Sequence, residues 1–168
     1  MVSSPSAQRV AQAAARLGLD IELREYPEGT RTAGDAARAI GVEVAQIVKS
    51  LVFMTSTEGG SASGGGRRPV LCLVSGVNQL DTARLATLTG TADVRRATAD
   101  EVERFTGFAI GGVPPFGHST PLPIYCDRDL LAYDTVWAAA GTPRTVFAAN
   151  PQRLAEACRA TIADLKAP

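Results

Sequence analysis

Aromatic residues fill only 5% of the 168 positions, and histidine occurs once, at His118. Cysteine is equally sparse. Cys72, Cys126 and Cys158 are odd in number, lie far apart and show no paired spacing, a pattern that predicts neither a disulfide framework nor a zinc site. An excess of one charge is also lacking, since 17 basic residues balance 17 acidic ones. A neutral chain has no global field with which to hold nucleic acid, so any such contact is local and small, and DNA is not an expected partner. No run approaches the roughly 18 apolar residues of a membrane span. The start, "MVSSPSAQRVAQAAARLGL", lacks the charged n-region and continuous apolar core of a signal peptide. A cytoplasmic protein with no membrane partner is predicted. The chain also lacks a strand, GxGxxG and helix unit, a phosphate-loop motif, a GxSxG elbow and a cysteine-histidine metal set, so neither cofactor nor metal is predicted.

What is present is 45% hydrophobic residues, on a length that suits one domain over 1–168 with a real core. "SSPSAQRVAQAAARLG" reads as a helix capped by Ser4, with Pro5 at its first position and Val10, Ala13, Ala14 and Leu17 on one face. "IELREY" alternates as a half-buried strand, and "TRTAGDAARAIG" is a short helix from Thr32 to Gly41. "QIVKSLVFM" and "PVLCLVSG" are β-branched strands joined by a flexible glycine-rich hairpin loop at about 56–68, where Arg67 and Arg68 are candidates for phosphate contacts. "DTARLATLTG" and "TADEVERFTG" are capped helices; "PLPIYCD", "DTVWAAAG" and "RTVFAAN" are short strands; "PQRLAEACRATIADLK" reads as one terminal amphipathic helix. Helices and strands do not alternate regularly and several links have hairpin length. The fold class is therefore α+β, a mixed sheet with helices packed around it.

Two segments stand out. In "IVKSLVF" both faces are mainly apolar, so the strand is central and Lys49 must either leave water or sit at the mouth of a cavity. An edge-strand lysine that snorkels to solvent is the plain alternative. "IGGVPPFGH", residues 110–118, combines adjacent glycines, which permit positive φ and close backbone approach, with adjacent prolines, which lock φ and remove donors. That combination describes a rigid loop with exposed amides. Together with Lys49 it supplies the parts of a pocket for a carbonyl, a carboxylate or a phosphate-linked ligand.

"RTAGDAARAIGVEVAQIVKSLVF", "VSGVNQLDTARLA", "TGFAIGGVPPFGH" and "AANPQRLAEAC" together resemble the YbaK and prolyl-tRNA-synthetase-associated family of aminoacyl-tRNA deacylases. The resemblance implies a barrel-like mixed sheet and an editing domain that hydrolyses amino acids wrongly attached to tRNA, usually a proline tRNA. The implied partners are the aminoacyl-tRNA acceptor end and prolyl-tRNA synthetase. By the same resemblance, Lys49, Gly111 and Gly112 are the candidate catalytic positions, and Ser50, Pro114, Phe116, His118 and Ala139 the candidate substrate-binding ones. Ala139 stands where cysteine-specific relatives carry serine, so the amino acid removed stays open among Ala, Ser, Thr and Cys. The amides near Gly111 and Gly112 are placed to donate to a tetrahedral oxyanion, and Lys49 to hold the terminal phosphate or the carbonyl. No general base accompanies them, and the resemblance implies that the vicinal ribose hydroxyl assists. His118 reads either as a base or as a pin for the loop end. A set of Cys126, His118 and Asp127 is a weaker hydrolase reading. A non-catalytic module that recruits a synthetase or binds an amino-acid-like ligand is the alternative function.

Overall fold

Capping side chains set the helix starts. In the computed structural model, which describes residues 4–27, 32–56 and 67–168, α1 (Pro5–Arg16) begins at Ser4, whose hydroxyl accepts from the Ala7 amide. Val10, Ala13 and Ala14 are buried, whereas Leu17 is the C-cap and stays 43% exposed. α2 (Ala33–Ile40) is capped by Thr32 and closed by Gly41 in the left-handed region, at φ 87°. Asp81 caps α3 (Thr82–Thr89), a Thr98–Glu101 capping box opens α4 (Ala99–Thr106), and Asn150 caps α5 (Pro151–Cys158).

The strands are β1 (Leu23–Glu25), β2 (Val48–Ser56), β3 (Arg67–Ser75), β4 (Asp93–Arg96), β5 (Ile124–Asp127), β6 (Val136–Ala139), β7 (Thr145–Ala149) and β8 (Thr161–Ala163). They form a three-stranded sheet, β1-β7-β6, and a five-stranded one, β4-β2-β3-β5-β8. β3, β5 and β8 run parallel, and the other pairings are antiparallel. A parallel bridge between Ile47 and Trp137 joins the two sheets. The result is the mixed, barrel-like α+β architecture expected. One core lies inside it, where Val48, Val52, Leu71 and Leu73 meet Val136, Ala138 and Phe147 of the other sheet and Val10, Val102 and Leu154 of the helices.

Three details differ from the sequence reading. Ser56, Arg67 and Arg68 belong to the β2–β3 ladder, where Ser56 pairs with Arg67, and the rest of the expected hairpin loop, 57–66, lies outside the described residues. β4 goes unnoticed in the sequence because "DVRR" has one apolar residue; it forms by pairing with β2 at Phe53–Ser56. The terminal helix stops at Cys158 because Arg159 turns left-handed, at φ 55°, and β-branched Thr161 and Ile162 then add to the free edge of β5.

Candidate active site

A gap in the sheet forms the site. On one edge of β2 the bridge to β6 is at Ile47 and the ladder to β4 begins at Phe53, so the stretch from Val48 to Leu51 has β3 on one side only. A cavity of about 570 Å³ occupies this gap. β2 contributes Lys49 and Ser50, β4 contributes Arg96, β6 contributes Ala139, the 110–118 loop contributes Gly111, and the first turn of α2 closes the remaining wall.

Alternation along β2 places Leu51 and Phe53 in a second apolar cluster with Cys72, Val74 and Leu165, on the face that also carries Lys49. The Lys49 ammonium donates to the main-chain carbonyl of Asn78 at 2.5 Å. Burial pushes its pKa below the ordinary lysine value, the Arg96 guanidinium pushes it further the same way, and the Asp127 carboxylate opposes both. Among the described residues, Lys49 and Arg96 are the only charged ones that line the cavity, so they make its field positive, and the N-terminus of α2 adds to that sign. Ser50 keeps its hydroxyl buried without a hydrogen-bond partner among the described residues.

The loop separates its two glycines into different tasks. Gly111 has φ 89°, lies on the surface at the cavity wall, and its N–H has no backbone partner among the described residues. Gly112 is buried; its N–H donates to Ala109 O at 3.0 Å and its carbonyl accepts from Gly141 N–H at 2.9 Å. A Cβ on Gly112 would fall 2.8 Å from Gly141 O, so this glycine serves close packing between two turns rather than positive φ. Pro114 and Phe116 are buried beneath the loop, with Phe116 against Phe147 at 5.6 Å between ring centroids, and neither lines the cavity. His118 Nε2 donates to Pro114 O at 2.7 Å and also stands away from the lining. The Asp127 carboxylate is turned to Ser75, Asn78 and Asp129, and burial pushes the Cys126 thiol up to about 12, so a Cys126, His118 and Asp127 relay has no geometry here. Lys49, Ser50, Gly111 and Ala139 thus come together, while Gly112, Pro114, Phe116 and His118 support the loop from behind. Sequence reading missed Arg96 and the start of α2, because only the paired edge of β4 and the gap in β2 bring them to the cavity.

Arg67 is ion-paired with Asp93 at 3.1 Å. Among the described residues no His, Cys, Asp and Glu group is arranged to hold a metal, and no helix is long and apolar enough to cross a membrane.

A concave cavity with two cations and a loop glycine in a mainly apolar lining has the features that suit an acyl group joined to an anionic carrier. Residues 27–157 match the aminoacyl-tRNA editing domain, and the chain belongs to that family. It is an editing enzyme, a deacylase acting on mischarged aminoacyl-tRNA. The chain superposes with a TM-score of 0.88, at 49% identity and over 99% of its length and 100% of the other, on a crystal structure described as a candidate trans-editing enzyme for prolyl-tRNA synthetase. It is 30% identical to YwhH of Bacillus subtilis over 80% of each chain. A candidate Cys-tRNA(Pro)/Cys-tRNA(Cys) deacylase of Enterococcus faecalis is 27% identical over 69% of this chain and 65% of its own. Proline–tRNA ligases match as well, that of Limosilactobacillus fermentum at 28% identity over 68% of this chain, which spans 19% of the ligase.

Proposed function

We propose that the protein hydrolyses, in trans, the ester between a small wrong amino acid and a proline tRNA, with residues 1–168 acting as one editing domain. The observation that carries this reading is that Lys49 and Arg96 line one cavity together with Gly111, Ala139 and a mainly apolar wall. Arg96 suits the phosphates of the acceptor end, Lys49 is the catalytic cation that holds the terminal phosphate or the ester carbonyl, and Ala139 leaves room for a short side chain. Water attacks the ester carbonyl, and the tetrahedral oxyanion accepts a hydrogen bond from the Gly111 amide. The carbon–oxygen bond to the ribose then breaks, the ribose oxygen takes a proton, and free amino acid and tRNA leave. Among the described residues no carboxylate or imidazole lines the cavity, and the ribose hydroxyl beside the ester takes the role of base that the family resemblance implies for it.

One methylene discriminates by only about 1–3 kcal/mol in a synthetase pocket, which is why such a second site is needed. Ala139 offers no hydroxyl, so at that wall the cavity sorts by size rather than by hydrogen bonding, with Ala, Ser and Thr admitted and bulky residues excluded. A cytoplasmic location and prolyl-tRNA synthetase as neighbour go with that substrate. The test is a deacylation panel of proline tRNA charged with Ala, Cys, Ser, Thr, Leu or Pro. Fast release of the small residues with Leu and Pro spared is expected. Equal rates for Ala and Leu overturn the sieve, and a marked preference for Cys overturns the assignment of Ala139.

A further inference from the structure

Lysine occurs at two positions only, Lys49 and Lys166, and they stand at opposite ends of one hydrogen-bonded chain. Lys49 donates to the Asn78 main-chain carbonyl. The Asn78 side-chain amide donates to Asp127 Oδ2 at 2.8 Å and to Asp129 Oδ2 at 2.9 Å. Asp127 also accepts from the Ser75 amide and the Asp129 amide, each at 3.0 Å, and Asp129 accepts from Lys166 Nζ at 3.2 Å. The segment that carries Asn78 is held from the other side as well, by Asp81 N–H on Leu165 O at 2.8 Å and Ala167 N–H on Gln79 O at 2.7 Å.

Asp127 has no exposed surface. A buried carboxylate is costly unless several donors meet it, and here three do so, one of them the Asn78 side chain. The loop after β3 therefore has one well-determined position, and with it the carbonyl that receives Lys49. A lysine stem loses rotamer entropy when it is ordered, so an ammonium fixed beforehand reaches its substrate without that cost. One of its three donors is engaged by Asn78, and two remain for the cavity.

We propose that Asn78 and Asp127 are positioning residues for the editing reaction, acting through Lys49: Asp127 anchors the Asn78 side chain, and the Asn78 carbonyl aims the ammonium at the substrate. The proposal rests on the catalytic reading of Lys49 given above. The groups facing that ammonium are Arg96 from β4 and Asp127 from the end of β5, with Asp129 behind Asn78.

A double-mutant cycle tests it. Asn78→Ala should lower the single-turnover deacylation rate roughly tenfold in the otherwise native protein and change the residual rate of Lys49→Ala by less than about twofold. An equal loss in both backgrounds, or none in the native one, overturns the proposal. A second readout does not depend on activity. With two lysines, the ε-methylene signals are separable by NMR, and Lys166→Arg assigns them. In the native protein the two Lys49 ε protons should differ in shift, as in a fixed side chain, and Asn78→Ala should collapse them to one; signals that stay apart overturn the proposal. In Asp127→Asn the Lys49 titration midpoint should move down, since the charge that favours the ammonium is gone, and an unmoved midpoint counts against it. If Lys49→Ala itself deacylates at the native rate, the catalytic reading of Lys49 fails, whereas the ε-proton result still decides whether Asn78 holds the ammonium.

Discussion

At Lys49 a cation stands where the alternation of β2 would otherwise put another apolar residue between Ile47 and Leu51. Burial and Arg96 make that placement unfavourable, and a strand under no other demand would carry valine there. Lys49→Ala should accordingly fold at least as stably as the native protein while kcat/KM for deacylation falls by roughly 10²-fold or more, the scale of losing one electrostatic donor at a reacting carbonyl. Chemical denaturation and single-turnover kinetics on the same preparation check the two halves separately. Arg96 has a different task. It reaches the cavity from an edge strand, and Arg96→Ala should raise KM more than it lowers kcat and flatten the salt dependence of tRNA binding by about one phosphate contact. An unchanged salt slope would remove Arg96 from the acceptor-end contacts.

At the scale of elements, the caps account for why the helices start where they do. The Thr98–Glu101 box is reinforced by Arg95, whose guanidinium meets the Glu101 carboxylate at 2.7 and 2.9 Å. Hydrogen bonds from Arg95 and from the Thr98 amide hold the Glu101 carboxyl at about 2, below its ordinary 4.5. A depressed carboxylate stabilises the fold above its unfolded pKa and loses that contribution as pH falls, so the window here runs from about 4.5 down to about 2. Native protein should lose about 1 kcal/mol more than Glu101→Gln between pH 7 and pH 2.5, a figure kept small because the pair is partly solvated. Denaturant midpoints at the two pH values measure it. The 110–118 loop makes the second element-scale expectation. Gly112→Ala should lower stability by about 1–3 kcal/mol, because its Cβ meets the backbone of Gly141 and Thr142 rather than open space, and a calorimetric scan reads the loss directly.

Across the whole molecule, the segment after α5 ties the back of the five-stranded sheet to the site. Leu165 is fully buried with Phe53, Val74 and Leu85, and its carbonyl receives the Asp81 amide that opens α3. Leu165→Ala should cost about 2–5 kcal/mol, the range for a leucine removed from a packed core. It should also loosen 78–81, so amide exchange in that segment should speed up beyond what the global loss of stability explains. Exchange that rises only in step with global unfolding would show that the segment does not brace the loop.

Local chemistry in the sequence determined the helix starts at Ser4, Thr32, Asp81, Thr98 and Asn150, the central β2–β3 pair and the α+β class, because caps and two-residue periodicity act within a few positions of themselves. The candidate site was legible to the extent that a residue violates its own surroundings: Lys49 in an apolar strand, and Gly111 in a loop that needs φ 89°. Only the tertiary structure decided the rest. β4 and β8 exist because partner edges were available, not because "DVRR" or "TIA" favours a strand strongly. The break between β4 and β6 along β2 opens the cavity, and it depends on pairings 40 to 90 residues apart in the chain, such as Phe53 with Arg96 and Ile47 with Trp137. For the same reason Gly112 and His118, adjacent in sequence to the site, are turned away from it, while Arg96 and Asn78, remote in sequence, converge on Lys49: side-chain direction in a loop is set by what the loop packs against.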